Sequence, residues 1–512
     1  MIQNKTVDNK RIARNTLFLY VQLFLTMLIG LYVSRIILDA LGETDFGIYN
    51  VVGGFVALFA IISNAMTTAT QRFLSFELGK GKDSKIGSVF SMAFYIHMTL
   101  AILIFLVAET LGAWFVRTQM NFPTCRVSAA IIVFHFSVFT FIVNLLCIPY
   151  NAALIAYEKM SVFALLNVTE AVLKLIVSII ILHTGFDKLI FYAFLLALGT
   201  FLIKVSYSIY VHLNFQKCRI STKIEKEYLK QMFSFVSWNL IGSSAMVLKE
   251  QGVNVLLNLF FGAAVNAARG IAYQVLHAVS GFVSSFQMAM NPQIIKLYAA
   301  GNKDEMFKLV FRGCKYSYLL MLMVSLPLLI KTHFILNVWL VKVPDYTVIF
   351  TQLVIITTLV DSLSYALITS VHASGKVKVY QIINGSFLLL VVPISYICFL
   401  FGSSPTSAMI VGLIISVICH FIRLAILNRI INFPFLSYLR EVTFNVFKAS
   451  IVAWIITYYL TTLFNQSVFF DILAIILSLF ISAISCFYIG LNIQDRKVLI
   501  SIVMNFLKKQ RR

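Results

Sequence analysis

Acidic residues are scarce in this chain. Asp and Glu number 20 in 512 residues, Lys and Arg 41, and all charged types together make up 12%. A soluble globular chain carries about 25% charged residues, so a soluble enzyme is excluded. Cysteine is sparse too. Cys125, Cys147, Cys218, Cys314, Cys398, Cys419 and Cys486 form no CxxC pair and no Cys/His cluster with metal spacing. They read as small buried hydrophobes, and no metal or cofactor is expected. No GxxxxGK[ST] phosphate loop is present, so no ATPase domain drives the chain, and HExxH and GxSxG are also missing. The longest outer segment, about 109–125, holds a single acid, Glu109. A membrane glycosyltransferase or polymerase would need carboxylates and a sizeable non-membrane loop, which counts against an enzyme.

What is abundant is apolar surface. Hydrophobic residues make up 60%, with 46 Phe and 22 Tyr, which excludes intrinsic disorder. A bilayer core of about 30 Å needs about 20 mostly apolar residues per helix. Fourteen stretches qualify: 15–38, 46–70, 86–108, 126–148, 161–183, 188–212, 232–260, 265–290, 309–330, 347–371, 377–400, 406–428, 443–464 and 469–491. The seventh and eighth are the least apolar, because both carry charges. The expected fold is an all-α polytopic membrane protein of about 14 transmembrane helices.

Sidedness follows from the basic residues of the short loops. With the N-terminus in the cytoplasm, 31 Lys and Arg fall on that side, adjoining helix ends included, and six on the other. Both termini are therefore expected in the cytoplasm. The excess charge of +21 faces anionic inner-leaflet lipid rather than nucleic acid. The tail 495–512 ends in Lys508, Lys509, Arg511 and Arg512 after apolar residues at helical spacing, and reads as an amphipathic helix on that leaflet.

The chain repeats internally. Ala156, Lys159, Phe163 and Asn167 match Ala373, Lys376, Tyr380 and Asn384 at an offset of 217, and Lys82-Asp83 matches Lys303-Asp304 at 221. The unit is six helices, so the two copies are parallel in topology, as in one class of transporter. The expected organisation is a lobe at 1–212, a basic linker at 213–231, a second lobe at 232–430, two further helices at 431–494 and the tail. Two lobes about a cleft suit alternating access.

Charged residues in the bilayer interior are costly, at about 2.5–3.5 kcal/mol for a central Arg, Lys or Asp, so they are functional candidates. Several lie in stripes at helical spacing. The seventh span carries Asn239, Ser243, Glu250, Asn254 and Asn258, flanked by Lys249 and Gln251. The eighth carries Arg269, Tyr273, His277, Ser280, Ser284 and Gln287. The fifth carries Asn167, Glu170, Lys174 and Ser178, and the tenth Thr358, Asp361, Tyr365 and Thr369. The second carries the neutral set Asn50, Gly54, Asn64, Thr68 and Gln71. These stripes predict a hydrated cavity. Arg35, Lys174, Lys249 and Arg269 are its expected cationic substrate contacts. Asn64, Asn239, Asn254, Asn258, Tyr273 and His277 are its polar lining, and Glu170, Glu250 and Asp361 are the candidates for ion coupling. Arg can hold phosphate bidentately, so a phosphate or acidic sugar fits. Glu170 and Lys174, four residues apart, can also neutralise each other. Lys204, late in its span, reads as a residue that snorkels to the inner interface. His97 and His135 read as hydrogen-bonded packing histidines.

Leu41-Gly42-Glu43-Thr44-Asp45-Phe46-Gly47-Ile48-Tyr49-Asn50-Val51-Val52 after a first helix resembles the opening signature of bacterial polysaccharide-export flippases. So do the basic start Lys10-Arg11-Ile12-Ala13-Arg14-Asn15-Thr16 and Ala156-Tyr157-Glu158-Lys159. These belong to the multidrug/oligosaccharidyl-lipid/polysaccharide exporter superfamily. The resemblance implies a bacterial inner-membrane protein with two six-helix bundles about a cationic cavity. It would move an undecaprenyl-diphosphate-linked oligosaccharide to the periplasmic leaflet, for O-antigen, capsule or exopolysaccharide, alongside polysaccharide assembly proteins. An ion gradient (H+ or Na+) or the membrane potential would drive it. A drug or metabolite exporter of the same superfamily is the alternative, and a membrane glycan polymerase a third.

Overall fold

The computed structural model describes residues 9–57, 59–81, 84–118, 120, 123–221, 225–340, 343–462, 467–493, 495–497 and 500. Most of the basic tail lies outside these residues, as does the side chain of Asn50, and the surroundings of Gly54 are likewise outside the description. Among the described residues the structure is helical throughout, with no strand. The chain forms two compact units, Ile12–Leu240 and Ile241–Arg512 with Met1–Arg11.

The first unit contains α1 (Asn9–Ala57), α2 (Ala60–Lys80), α3 (Ile86–Val107), α4 (Ala113–Thr118), α5 (Val127–Ala156), α6 (Met160–Leu182) and α7 (Lys188–Asn214). A π turn at Ala108–Gly112 joins α3 to α4. α8 (Lys226–Phe261) begins in the first unit and ends in the second. The second unit continues with α9 (Ala263–Ala299), α10 (Lys303–Ile330), α11 (Thr332–Trp339), α12 (Thr347–Ser362), α13 (Tyr365–Ser374), α14 (Val377–Leu389), α15 (Val391–Leu400), α16 (Thr406–Ile431) and α17 (Phe435–Tyr438). The last two long helices are α18 (Phe444–Thr462) and α19 (Val468–Ser485).

By length and hydropathy, ten helices among the described residues can cross a membrane, and eleven if the bent pair α12–α13 is one span. The three remaining stretches, in α1–α2, α8 and α9, are also long helices. They fall short on hydropathy because they carry the polar stripes. Large apolar side chains such as Phe24, Leu106, Ile209, Phe233 and Phe480 are exposed on the outward helix faces, as lipid contact requires.

The repeat is visible in the backbone. Gly42 (φ 72°, ψ 171°) breaks α1, and Gly262 (φ 83°, ψ −176°) separates α8 from α9, 220 residues on. That region of backbone space is essentially open to glycine alone. Glu158 and Gly375 both have positive φ, at an offset of 217, and each is followed by a lysine with nearly the same angles, Lys159 (−88°, 55°) and Lys376 (−85°, 56°). The fold is thus two six-helix lobes related by an internal repeat, with α18 and α19 added. That last pair packs through small residues. Ala474, Ser478, Ser482 and Ser485 are buried on α19, and Val446, Ala449, Ala453 and Thr457 on α18. Ser478 and Ser482 donate to carbonyls one turn back, and Ser485 donates to the Ala449 carbonyl across the pair at 2.8 Å. Their hydroxyls are therefore satisfied without water.

The basic segment before α8 is bound to the first unit. Ser221 N–H donates to Ser91 (2.8 Å), Lys85 and Ser88 hold Glu225 (3.0 and 2.6 Å), and Tyr228 donates to the buried Glu77 (3.1 Å).

At the opposite end of this unit, Arg126 gathers three helix ends. It donates to Asp45, just past the Gly42 break, at 2.8 Å from Nε, and to Asp187 at 2.5 Å from Nη1. Asp187 also caps α7, accepting from the Leu189 and Ile190 amides. The Arg126 guanidinium holds the Asp187 carboxyl below the usual carboxylate range, with help from the Ile190 and Leu189 amides and against a partial desolvation. A depressed folded-state pKa stabilises the fold fully above the unfolded value, about 3.9 for Asp, and that contribution is lost as pH falls through the folded value. The apparent melting temperature of the purified protein should therefore drop below about pH 4, and Asp187→Asn should reduce the size of that drop. An unchanged acid limb in Asp187→Asn would exclude this clamp as its source.

Candidate functional site

The second unit encloses a cavity of about 390 Å³ whose polar lining includes Lys249, Glu250, Asn254, Arg269, Tyr273, His277 and Asp361. Three helices supply these groups. α8 presents Lys249 and Glu250 side by side and Asn254 one turn on, and Gly262 turns the chain back so that α9 brings Arg269, Tyr273 and His277 to face them. Asp361 comes from the end of α12. Glu250 is the electrostatic centre: its carboxylate is 2.5 Å from Arg269 Nη2 and 3.3 Å from Lys249 Nζ. Arg269 also donates to the Asn254 side chain, and its guanidinium stands 4.2 Å from the centre of the Tyr273 ring. A buried charge is tolerated when paired in this way. The two cations outnumber the carboxylate they hold.

Asp361 lies where the span bends by 42° between α12 and α13. It accepts a hydrogen bond from Ser416 of α16. At the bend Tyr438 donates to the Leu363 carbonyl (2.9 Å), and the Ser364 hydroxyl bonds His420 Nδ1 (2.9 Å). Ser416, His420 and Arg423 share one face of α16. Arg423 is buried and donates from Nε to the Tyr380 hydroxyl (3.2 Å). Sequence reasoning missed this set. Arg423 stands near a helix end and so falls among the 31 basic residues of the cytoplasmic side, and its spacing of seven from Ser416 is the signal that marks the shared face. Lys315 was counted in the same way and is also buried, within α10.

The first unit has two smaller cavities, about 280 and 350 Å³, that share Glu170 and Lys174. Glu170 is held by Lys174 (3.0 Å) and Lys204 (2.9 Å). Lys204 does not snorkel to the interface. Its side chain is only 10% exposed, because the carboxylate on the neighbouring helix offers a nearer partner than water. His97 is buried, with Nδ1 on the Ala93 carbonyl (2.7 Å), whereas His135 pairs with Glu109 (2.7 Å).

The repeat relates these cavities residue by residue. At an offset of 220, Tyr49, Gly53 and Val56 of the first unit stand where the second has Arg269, Tyr273 and Leu276. At 217, Thr140, Asn144 and Lys174 stand where it has Thr357, Asp361 and Val391. The 280 Å³ cavity and the cavity of the second unit thus use equivalent positions with different charges: Glu170 and Lys174 line the first, with Lys204 behind Glu170, and Glu250, Lys249 and Arg269 line the second. Only the second adds another acid, Asp361.

Four expected site residues lie outside the described cavities. Arg35 and Asn64 are exposed on α1 and α2, and Asn258 is exposed near the end of α8. Asn239 is buried and donates to the Phe235 carbonyl of its own helix (2.8 Å).

The helix count, the six-helix repeat and the polar cavities within apolar helices define a polytopic membrane protein with a transporter fold. The same fold is seen in a MATE transporter in a bent conformation (TM-score 0.70, 12% identity, covering 87% of this chain and 100% of that one). It is seen too in a MOP superfamily transporter from Pyrococcus furiosus (0.65, 12%, 82% and 97%) and in the MATE transporter ClbM in complex with Rb+ (0.68, 14%, 81% and 94%). Residues 12–298 match the family described as polysaccharide biosynthesis protein, and the chain belongs to that family. No curated protein matches it.

Proposed function

We propose that this protein is a flippase. It moves a polyprenyl-diphosphate-linked oligosaccharide, undecaprenyl being the expected lipid, from the cytoplasmic to the periplasmic leaflet of a bacterial inner membrane by alternating access. The observation that carries this reading is the pairing of Arg269 and Lys249 with Glu250 in the cavity of the second unit. Glu250 acts as an internal counter-ion. A diphosphate entering the cavity competes with it for Arg269, which can turn from carboxylate to phosphate without leaving the Tyr273 ring. The amide and hydroxyl groups of Asn254, Tyr273, Thr357 and Thr358 suit a glycan. Lys174 gives the first unit a half-exposed cation for an acidic sugar. Asp361 and Glu250, with Glu170 in the first unit, carry the coupling to H+ or Na+. Both termini lie in the cytoplasm, and polysaccharide assembly proteins use the product.

A second reading, export of an organic cation or metabolite, is favoured by Asp361, whose carboxylate has no ion-pair partner among the described residues. Reconstitution separates the two. Proteoliposomes loaded with a labelled lipid-linked oligosaccharide should expose its glycan to an added glycosidase at a rate that depends on the protein, and ethidium should not be transported. Ethidium efflux without glycan exposure would replace the flippase reading with the exporter.

A further inference from the structure

A second cavity of the second unit, about 530 Å³, is separate from the one assigned to transport. It lies at the start of α10, where the basic-residue count puts the cytoplasmic face. Asp304, Phe307, Lys308, Phe311, Arg312 and Lys315 of α10 form one wall, and Glu441, Asn492 and Asp495 stand among the others. α10 has 28 residues, about 42 Å at 1.5 Å per residue, which is about 12 Å or two turns longer than a 30 Å hydrocarbon core, and Asp304 to Lys308 stand in its first two turns. The cavity is therefore at the depth of lipid headgroups.

Its charges divide into a satisfied and an unsatisfied set. Asp495 is buried and takes Arg312 Nε at 3.0 Å and Lys315 Nζ at 3.6 Å, which fastens the segment after α19 to α10. The Nη groups of Arg312 have no hydrogen-bond partner among the described residues, and Lys308 reaches only Glu305, on a face that is largely exposed. The carboxylates of Glu441 and Asp304 likewise have no ion-pair partner among the described residues. The cavity thus offers free donors on one wall, two free carboxylates, and the rings of Phe307 and Phe311. A simple anion would leave the carboxylates unpaired, and a simple cation would leave the guanidinium unpaired.

We propose that this cavity binds the headgroup of a zwitterionic aminophospholipid, with the phosphate on Arg312 and Lys308 and the primary ammonium on Glu441 and Asp304. A quaternary ammonium lacks the N–H donors this second contact uses, and an anionic headgroup lacks the cation. The test measures the melting temperature of the full-length protein in detergent, titrated with phosphatidylethanolamine, phosphatidylcholine or phosphatidylglycerol, and with free phosphoethanolamine. Phosphatidylethanolamine should raise it by about 3 °C or more near saturation, and the other two lipids should not. Glu441→Gln should remove that shift at little cost to the lipid-free melting temperature, because Glu441 is exposed, makes no ion pair among the described residues, and acts on Lys315 only through space. A shift with free phosphoethanolamine at equal concentration would support the same headgroup chemistry and assign it to a soluble ligand. Equal stabilisation by phosphatidylglycerol or phosphatidylcholine, or a full response in Glu441→Gln, would overturn the proposal. The outcome is independent of whether the protein flips lipid-linked oligosaccharide.

Discussion

Replacing Arg269 with glutamine is expected to abolish delivery of the lipid-linked glycan to the periplasm while the protein still reaches the membrane. The substitution removes the 2.5 Å contact to Glu250, the bond to Asn254 and the cation over Tyr273. Glu250 is left with Lys249 alone, at 3.3 Å. Breaking a buried ion pair from one side costs about 3–5 kcal/mol, because the remaining charge is desolvated and poorly matched. Lys249 offsets part of that, so the stability loss should fall below this range. Lost function and lost stability can be separated with the double variant Glu250→Gln/Arg269→Gln. Removing both charges should recover most of the melting temperature, and transport should stay absent because no guanidinium meets the diphosphate. Arg269→Lys should retain partial transport, since it keeps the charge but not the planar two-pronged donor. Normal surface glycan in Arg269→Gln would take this residue out of the substrate path.

The second large effect is expected at Glu170, and it is one of stability. Its carboxylate is the shared partner of Lys174 and Lys204. Glu170→Gln leaves Lys204, 10% exposed, without its carboxylate partner, and should cost about 3–5 kcal/mol. Lys174→Gln should cost about 1 kcal/mol or less, because that side chain is 47% exposed and exposed pairs contribute little. Thermal unfolding of the purified variants reads both values. Glu170→Gln/Lys204→Met, which removes the buried pair together, should recover much of the loss. Equal losses in Glu170→Gln and Lys174→Gln would mean that Lys204 is not the residue that makes Glu170 necessary.

Both expectations concern residues that were legible as stripes. Glu250 and Asn254 on α8, and Arg269, Tyr273 and His277 on α9, fall at helical spacing, and a glycine turn between two long helices brings such faces together. The pairing within each stripe was less legible. Whether Glu170 neutralises Lys174, or serves mainly a lysine 34 residues away on α7, depends on which face of α7 meets α6. Lys204 pairs inward for that reason, and the burial of Arg423 and Lys315 was not legible either. A basic residue one or two turns inside a helix end can reach the interface or turn inward, and only the neighbours decide which. Arg423 turns inward because Tyr380 lies beside it on the adjacent helix. Lys315 does so because Asp495, 180 residues on, returns to meet it.

The sequence by itself determined the class of protein. Helix number, span length and the six-helix repeat follow from local hydropathy and from glycines at the turns, since in a bilayer each segment must satisfy its own backbone hydrogen bonds. Tertiary structure alone decided which charges meet. It placed Asp361 at a bend held by α16 and α17, and it put equivalent cavities in the two repeats with different charges. Ion pairing depends on distances of a few ångströms between helices far apart in the chain, and apolar helix faces can pack in several registers that leave the hydropathy pattern unchanged.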